Sequence, residues 1–152
     1  MSSLAVRNAS VYDVRPLALN LRREDREELL LAGWKDMEKA IRDTLKITEG
    51  AKVVVNSDGE ILAMFGAVPD ANGYGIGWVF ASTALDKHWF EFARGTKKMY
   101  RRYFGRFAKV YNLVDVRYER CIKWLEWLGF VGRDICNTGP HNAAFLVMVR
   151  EG

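Results

Sequence analysis

Arg120-Cys121-Ile122-Lys123-Trp124-Leu125-Glu126-Trp127-Leu128-Gly129-Phe130-Val131 is the stretch whose reading decides the fold. Glu119 to Leu128 reads as a helix with an apolar face. Gly129 is a natural left-handed stop, because glycine has no Cβ to clash at positive φ. Phe130 can then fold back on Leu125, the apolar contact expected of that cap. The chain leaves the turn as a strand, about Val131 to Cys136.

On the N-terminal side of this unit, Val110 to Arg117 reads as a strand that follows a long helix, as in a parallel crossover. That helix runs from about Ala84 to Lys109. Met99, Tyr103 and Phe107, with Tyr100 and Phe104, form its buried stripe, and Gly95 marks a break near its start. On the C-terminal side, Ala143 to Arg150 is the last strand, reached through the loop Asn137-Thr138-Gly139-Pro140-His141-Asn142. The first half reads as a strand over Val11 to Leu19, limited by Pro16 to an edge or an end. A helix then runs from Leu21 to Ala32, capped by Asn20 and stopped by Gly33, with Glu24 and Asp25 in its first turn. A second helix covers Lys35 to Ile47. A meander follows: Lys52 to Val55, a turn at Asp58-Gly59, Ile61 to Val68, a turn over Pro69 to Gly73, and Tyr74 to Ser82. The order β-α-α-β-β-β-α-β-α-β-β predicts an α/β (α+β) fold with a mixed sheet and helices on its faces, as one domain over residues 1–152.

The 152 residues are 49% apolar and 28% charged, the balance of a globular chain of ordinary domain size. No apolar run approaches the ~20 residues that span a bilayer. Met1 to Arg7 carries no basic-then-apolar secretion signal, so the product is expected in the cytoplasm in which it is made, or packaged from there. Cys121 and Cys136 lack metal-ligand spacing and read as reduced packing thiols. His88 and His141 are two scattered imidazoles, and no metal site is expected. The formal charge is +4, yet Phe92 to Val114 holds seven basic residues and no acid. Arg94, Lys97, Lys98, Arg101, Arg102, Arg106 and Lys109 leave the rest of the chain at −3, which is +4 less seven. Such a segment is either a solvated helix face or a surface for an anionic partner.

The element order, together with Trp124-Leu125-Glu126-Trp127-Leu128-Gly129-Phe130, resembles the GNAT (GCN5-related N-acetyltransferase) superfamily over nearly the whole chain. Trp78-Val79-Phe80-Ala81-Ser82-Thr83, Phe92-Ala93-Arg94-Gly95-Thr96-Lys97 and Asn112 to Arg117 are similar, in residues and spacing, to a group of GNAT-like proteins of short-tailed bacteriophages that includes an internal virion protein. The resemblance implies that Tyr74–Ser82 and Val110–Arg117 run parallel and splay apart at one end. The pantetheine arm of acetyl-CoA would pair with the freed backbone, and its pyrophosphate would sit at the start of the intervening helix. The cofactor contacts then fall on Phe80, Ala81, Ser82, Lys87, His88, Arg94, Gly95, Lys97 and Asn112.

Three departures accompany the resemblance. The family's glycine-rich phosphate loop corresponds here to Ala81-Ser82-Thr83-Ala84-Leu85-Asp86, without glycine and with an acid. The family's general-acid tyrosine aligns with Leu125, and Tyr118 is the nearest substitute, readable also as a partly buried aromatic. Tyr74 to Ser82 contains no acid to serve as base; Glu91, Asp86 and Asp115 are near in sequence. The catalytic candidates are therefore Tyr118, Glu91 and, in the loop facing the substrate end, His141. Trp89, Trp124 and Trp127 read as core and interface rather than as stacking platforms.

Three functions compete. The first is acetyl-CoA-dependent transfer to an amine, on a small molecule or a protein. The second is a phage protein that keeps the fold without the chemistry and binds a virion or host protein. The third, nucleic-acid binding by the basic helix, has no recognised reader motif behind it.

Overall fold

The computed structural model describes residues 4–151. Met1 to Ser3, the start of the segment read for a secretion signal, and Gly152 lie outside the described residues. The strands are β1 (Ala5–Asn8), β2 (Lys52–Val55), β3 (Ile61–Pro69), β4 (Gly75–Ala81), β5 (Lys109–Asp115), β6 (Val131–Thr138) and β7 (Ala143–Glu151). They form one sheet in the order β1-β2-β3-β4-β5-β7-β6. β4 and β5 are parallel, and the other neighbours are antiparallel. The helices are α1 (Val14–Leu19), α2 (Arg23–Leu31), α3 (Met37–Lys46), α4 (Trp89–Phe104) and α5 (Glu119–Trp127). Among the described residues no helix is long and apolar enough to cross a membrane.

The deciding unit forms as its residues dictate. Gly129 takes φ +100°. The Gly129 N–H donates to the Glu126 carbonyl at 3.0 Å, and the Phe130 N–H to the Leu125 carbonyl at 2.9 Å. Leu125 and Phe130 are both buried, and the Phe130 ring meets Tyr100 of α4 edge-on at 5.8 Å. The cap thus fixes α5 against α4 and launches β6.

Four expectations fail. Val11–Leu19 is not a strand: Val11–Asp13 is a 3₁₀ turn that runs into α1. Its apolar residues fit either period, but Val14, Leu17, Ala18 and Leu21 recur at i, i+3, i+4 and i+7, and these are the buried ones. Asp13 anchors the start, accepting from the Ser10 N–H at 2.8 Å and from both Arg7 guanidinium nitrogens at 3.0 and 2.8 Å. Pro16 stands in the first turn of α1, where its missing N–H costs nothing. Asn20 accordingly closes α1, its amide donating to the Pro16 carbonyl at 3.0 Å, rather than opening α2. The first strand is instead β1. The long helix is also split. Thr83–His88 is a 3₁₀ segment and α4 begins at Trp89, while Gly95 lies inside α4 without breaking it.

The sheet has a core on each face. Val14, Leu17, Met37, Ile41, Met64 and Phe80 pack beneath α1 and α3. Tyr100, Phe107, Val110, Leu125, Phe130 and Met148 pack beneath α4 and α5. Each such side chain contributes about 1.5–3 kcal/mol of burial. The two layers hold β4 and β5 from above and below, so the gap described next stays framed.

Candidate functional site

β4 and β5 are bonded only at their beginnings, Gly75 to Val110 and Ile76 to Tyr111. Past that point the strands diverge. Backbone direction alternates along a strand. The Ala81 and Asp115 N–H groups turn toward α2, so Val79 and Leu113, two residues earlier, aim theirs into the same gap.

A short charged helix wedges the gap. The Asp25 carboxylate accepts the Ala81 N–H of β4 at 2.5 Å, and the Glu28 carboxylate accepts the Asp115 N–H of β5 at 3.2 Å. Asp25 and Glu28 lie one turn apart on α2, about 5–6 Å between Cβ atoms. Each satisfies the strand tip that the other strand would otherwise have paired. The Arg22 N–H donates to the Ala81 carbonyl at 2.9 Å, closing the β4 tip further. α2 buries no apolar side chain completely, so polar bonds hold it in place.

The gap opens into a cleft of about 650 Å³ between α2, the two strands and the start of α5. Burial pushes the Glu28 carboxyl up to about 8, with Asp25 and Asp115 adding to the effect against the Asp115 N–H bond. Burial also raises the Asp25 carboxyl, while the Arg22 guanidinium at 3.1 Å and the Ala81 N–H pull it down. Cys121, on the first turn of α5, is pushed up to about 12 by burial and by the two carboxyls, so it is a neutral thiol. Tyr118 caps α5 and lines the cleft; its hydroxyl donates to Glu27 at 2.5 Å. Burial and that carboxylate raise its pKa, so it holds its proton. Asp115 is buried beside Arg117, which keeps its carboxyl low. Among the described residues no His, Cys, Asp or Glu cluster could hold a metal ion.

The residues singled out from sequence are scattered, and only some meet at the cleft. Tyr118, Phe80 and Asn112 line the cleft. The Asn112 carboxamide crosses directly over Gly77, so close that a Cβ there would sit 2.8 Å from its nitrogen. Ala81 has both backbone groups engaged with α2, and Ser82 is buried, its hydroxyl donating to the Ile61 carbonyl at 2.6 Å. Lys87 and His88 lie on the 3₁₀ segment beyond. The His88 Nδ1 is buried, 3.7 Å from Glu91. Arg94, Gly95 and Lys97 lie along α4, with the Lys97 ammonium 3.7 Å over the Trp127 ring. Glu91 lines a different recess beside β1 and β2, and His141 is exposed in the β6–β7 loop; neither borders the cleft. Trp124 packs between the helices as core, its indole N–H donating to Thr96 at 3.1 Å.

Glu28 was missed. Its sequence signal is the spacing Arg22, Asp25, Glu28 along one helix face, which reads as an ordinary solvated charge run until β4 and β5 are seen to part beneath it.

The gap leaves backbone unpaired on both strands, whereas the segment after β4 has its N–H groups engaged. The Ser82 N–H donates to the Leu62 carbonyl and the Thr83 N–H to the Asn20 carbonyl, each at 2.9 Å. The Ala84 N–H donates to the Ser82 hydroxyl at 3.2 Å, and the Leu85 N–H to the Ser82 carbonyl at 3.1 Å. These four N–H groups after β4 are already engaged within the protein.

No family model and no curated protein matches the sequence. Solved structures do. The chain is similar to a GCN5-related N-acetyltransferase from Kribbella flavida at 20% identity, covering 99% of this chain and 98% of that one, with a TM-score of 0.72. It is similar to a spermidine N-acetyltransferase SpeG chimera of Vibrio cholerae and hSSAT at 12% identity, covering 99% and 96%, with a TM-score of 0.67. It is similar to AAC(6')-Ib in complex with ribostamycin and coenzyme A at 14% identity, covering 99% and 94%, with a TM-score of 0.73. At such identities the likeness is one of fold. The chain has the mixed-sheet GNAT acyl-CoA N-acyltransferase fold that its element order led us to expect.

Proposed function

We propose that this chain, acting as one domain, transfers an acetyl group from a pantetheine thioester such as acetyl-CoA to an amine bound in the cleft. The observation that carries the reading is the open fork: two paired positions, then a gap held apart by Asp25 and Glu28. Freed backbone on β4 and β5 suits an extended amide-containing arm. Glu28, near pH 8, is tuned to take the proton of an ammonium and leave a nucleophilic amine. The amine nitrogen forms its bond to the thioester carbonyl as the C–S bond breaks. Tyr118 stands at the cleft wall with its hydroxyl donating to Glu27, and in this reading it turns that proton to the departing thiolate when the bond to Glu27 opens. The related folds include proteins named for spermidine and one bound to the aminoglycoside ribostamycin, both polyamines. Thiol release from acetyl-CoA with spermidine or an aminoglycoside tests the reading. Release that depends on both substrates supports it, and none at millimolar donor and amine removes it.

A second reading rests on the occupied N–H groups of Ser82 to Leu85. In it the chain is a phage protein that keeps the fold, has lost the donor and binds a virion or host protein, in the host cytoplasm or packaged in the particle. Co-purification with virions, or with one host protein, without acetyl transfer would favour it.

A further inference from the structure

We propose that the fork receives its acyl group from a small acidic carrier protein, as a thioester on a phosphopantetheine arm, and gains nothing from a free nucleotide. This rests on the acyl-transfer reading above and says who presents the donor.

The argument begins with the mismatch between the two halves of a nucleotide thioester and the surface they would meet. The fork suits the pantetheine half. The segment after β4 does not suit the diphosphate half, because the N–H groups of Ser82, Thr83, Ala84 and Leu85 already donate within the protein. The next residue is Asp86, whose carboxylate would repel a diphosphate. Arg120 is committed twice: it pairs with Asp86 at 3.0 Å and lies 4.8 Å over the Trp89 ring.

What stands beside this segment instead is a docking face. Phe90, the second residue of α4, has 81% of its surface exposed, and Trp127 of α5 is 51% exposed. Arg94 and Lys97 follow Phe90 at i+4 and i+7, on the same helix face. Lys97 stacks on Trp127, and Lys123 precedes Trp127 by one turn of α5. Solvated charge alone does not explain a Phe left almost bare among cations. Exposed aromatics ringed by Arg and Lys are the composition of an interface centre, and the charge selects an acidic partner. α5 also lines the cleft, through Trp124 and Leu125, so a partner seated on Lys123 and Trp127 of the same helix is beside the fork.

The step balances without a further reactant. The amine nitrogen bonds the acyl carbon and the C–S bond breaks. Of the two protons the ammonium loses, one goes to Glu28 and one ends on the sulfur of the carrier's arm.

The test compares three acetyl donors with spermidine as acceptor: acetyl-pantetheine, acetyl-CoA and an acetylated acidic carrier protein. The two small donors should agree in kcat/KM within about 3-fold, and the carrier should exceed them by about 10-fold or more. The carrier's advantage should vanish at high salt and in Phe90→Ser/Lys123→Glu, which should leave the acetyl-pantetheine rate unchanged. An advantage of about 100-fold for acetyl-CoA over acetyl-pantetheine would mean the nucleotide is recognised and would overturn the proposal. So would a carrier no better than acetyl-pantetheine. Silence with all three donors condemns the acyl-transfer reading instead. In that event quenching of tryptophan fluorescence by the carrier protein, lost in the same variant, still supports the docking face, and no quenching ends it.

Discussion

β5 treats its two neighbours differently. Toward β7 it pairs at seven consecutive positions, from Lys109 with Glu151 to Asp115 with Phe145. Toward β4 it pairs at two. β4 in turn pairs at seven positions with β3. Each strand is therefore fully bonded on its outer side and mostly unbonded on the side they share. Neither strand is intrinsically weak; the difference lies in what stands between them. α2 places one carboxylate on each tip, so the Ala81 and Asp115 donors are satisfied by side chains, while those of Val79 and Leu113 are left facing the gap. The open side is thus capped at its mouth and free along its length.

The largest effect expected from breaking this arrangement is at Glu28. Glu28→Gln should lower the acetyl-transfer rate by about 100-fold or more, the scale of a lost general base. The wild-type rate should rise with pH through about 8, and the variant should lose that limb. The same residue makes a stability prediction. Its folded carboxyl keeps a proton up to about 8, whereas the unfolded one releases it near 4.5. Between those values the folded state binds more protons, so stability should fall as pH rises from about 5 to 8. The fall should be a few kcal/mol, at about 1.4 per pKa unit, and urea midpoints of Glu28→Gln should be flatter across that range.

Next in size is a contrast between two glycines of β4. At Gly75, in the zipped part, a Cβ would stand 2.9 Å from the Phe107 ring, a buried and fixed neighbour. Gly75→Ala should cost about 1–3 kcal/mol of stability in urea titrations, with donor binding little changed. At Gly77, where the strands part, the same Cβ meets the movable end of Asn112. Gly77→Ala should be milder for stability, under about 1 kcal/mol, and should instead weaken the donor's affinity as Asn112 is displaced. The smallest effect is expected at Tyr118. A thiolate leaves readily, so Tyr118→Phe should slow turnover about 10-fold or less.

Much of the fold was legible because it is written locally. Gly129 and Phe130 specify the α5–β6 turn by themselves, and Asp58-Gly59 specifies the β2–β3 hairpin, with Gly59 at φ +81°. Val11–Leu19 misled because the i, i+3, i+4, i+7 spacing of Val14, Leu17, Ala18 and Leu21 runs past the end of the segment, and Asp13's bonds to Arg7 and Ser10 set its start. The site was less legible. Tyr118, Phe80 and Asn112 were within reach because they border strands already assigned. Glu28 was not, since its elevated pKa comes from burial against β5, 87 residues away in sequence.

The central claim is that β4 and β5 are parted in solution and that a pantetheine arm fills the space. Amide hydrogen exchange reads this directly. In the free protein the Val79 and Leu113 amides should exchange much faster than those of Asn112 and Val114, which face β7, and a pantetheine thioester should slow them. Val79 and Leu113 amides already as protected as Asn112 and Val114, and unmoved by the thioester, would contradict the account.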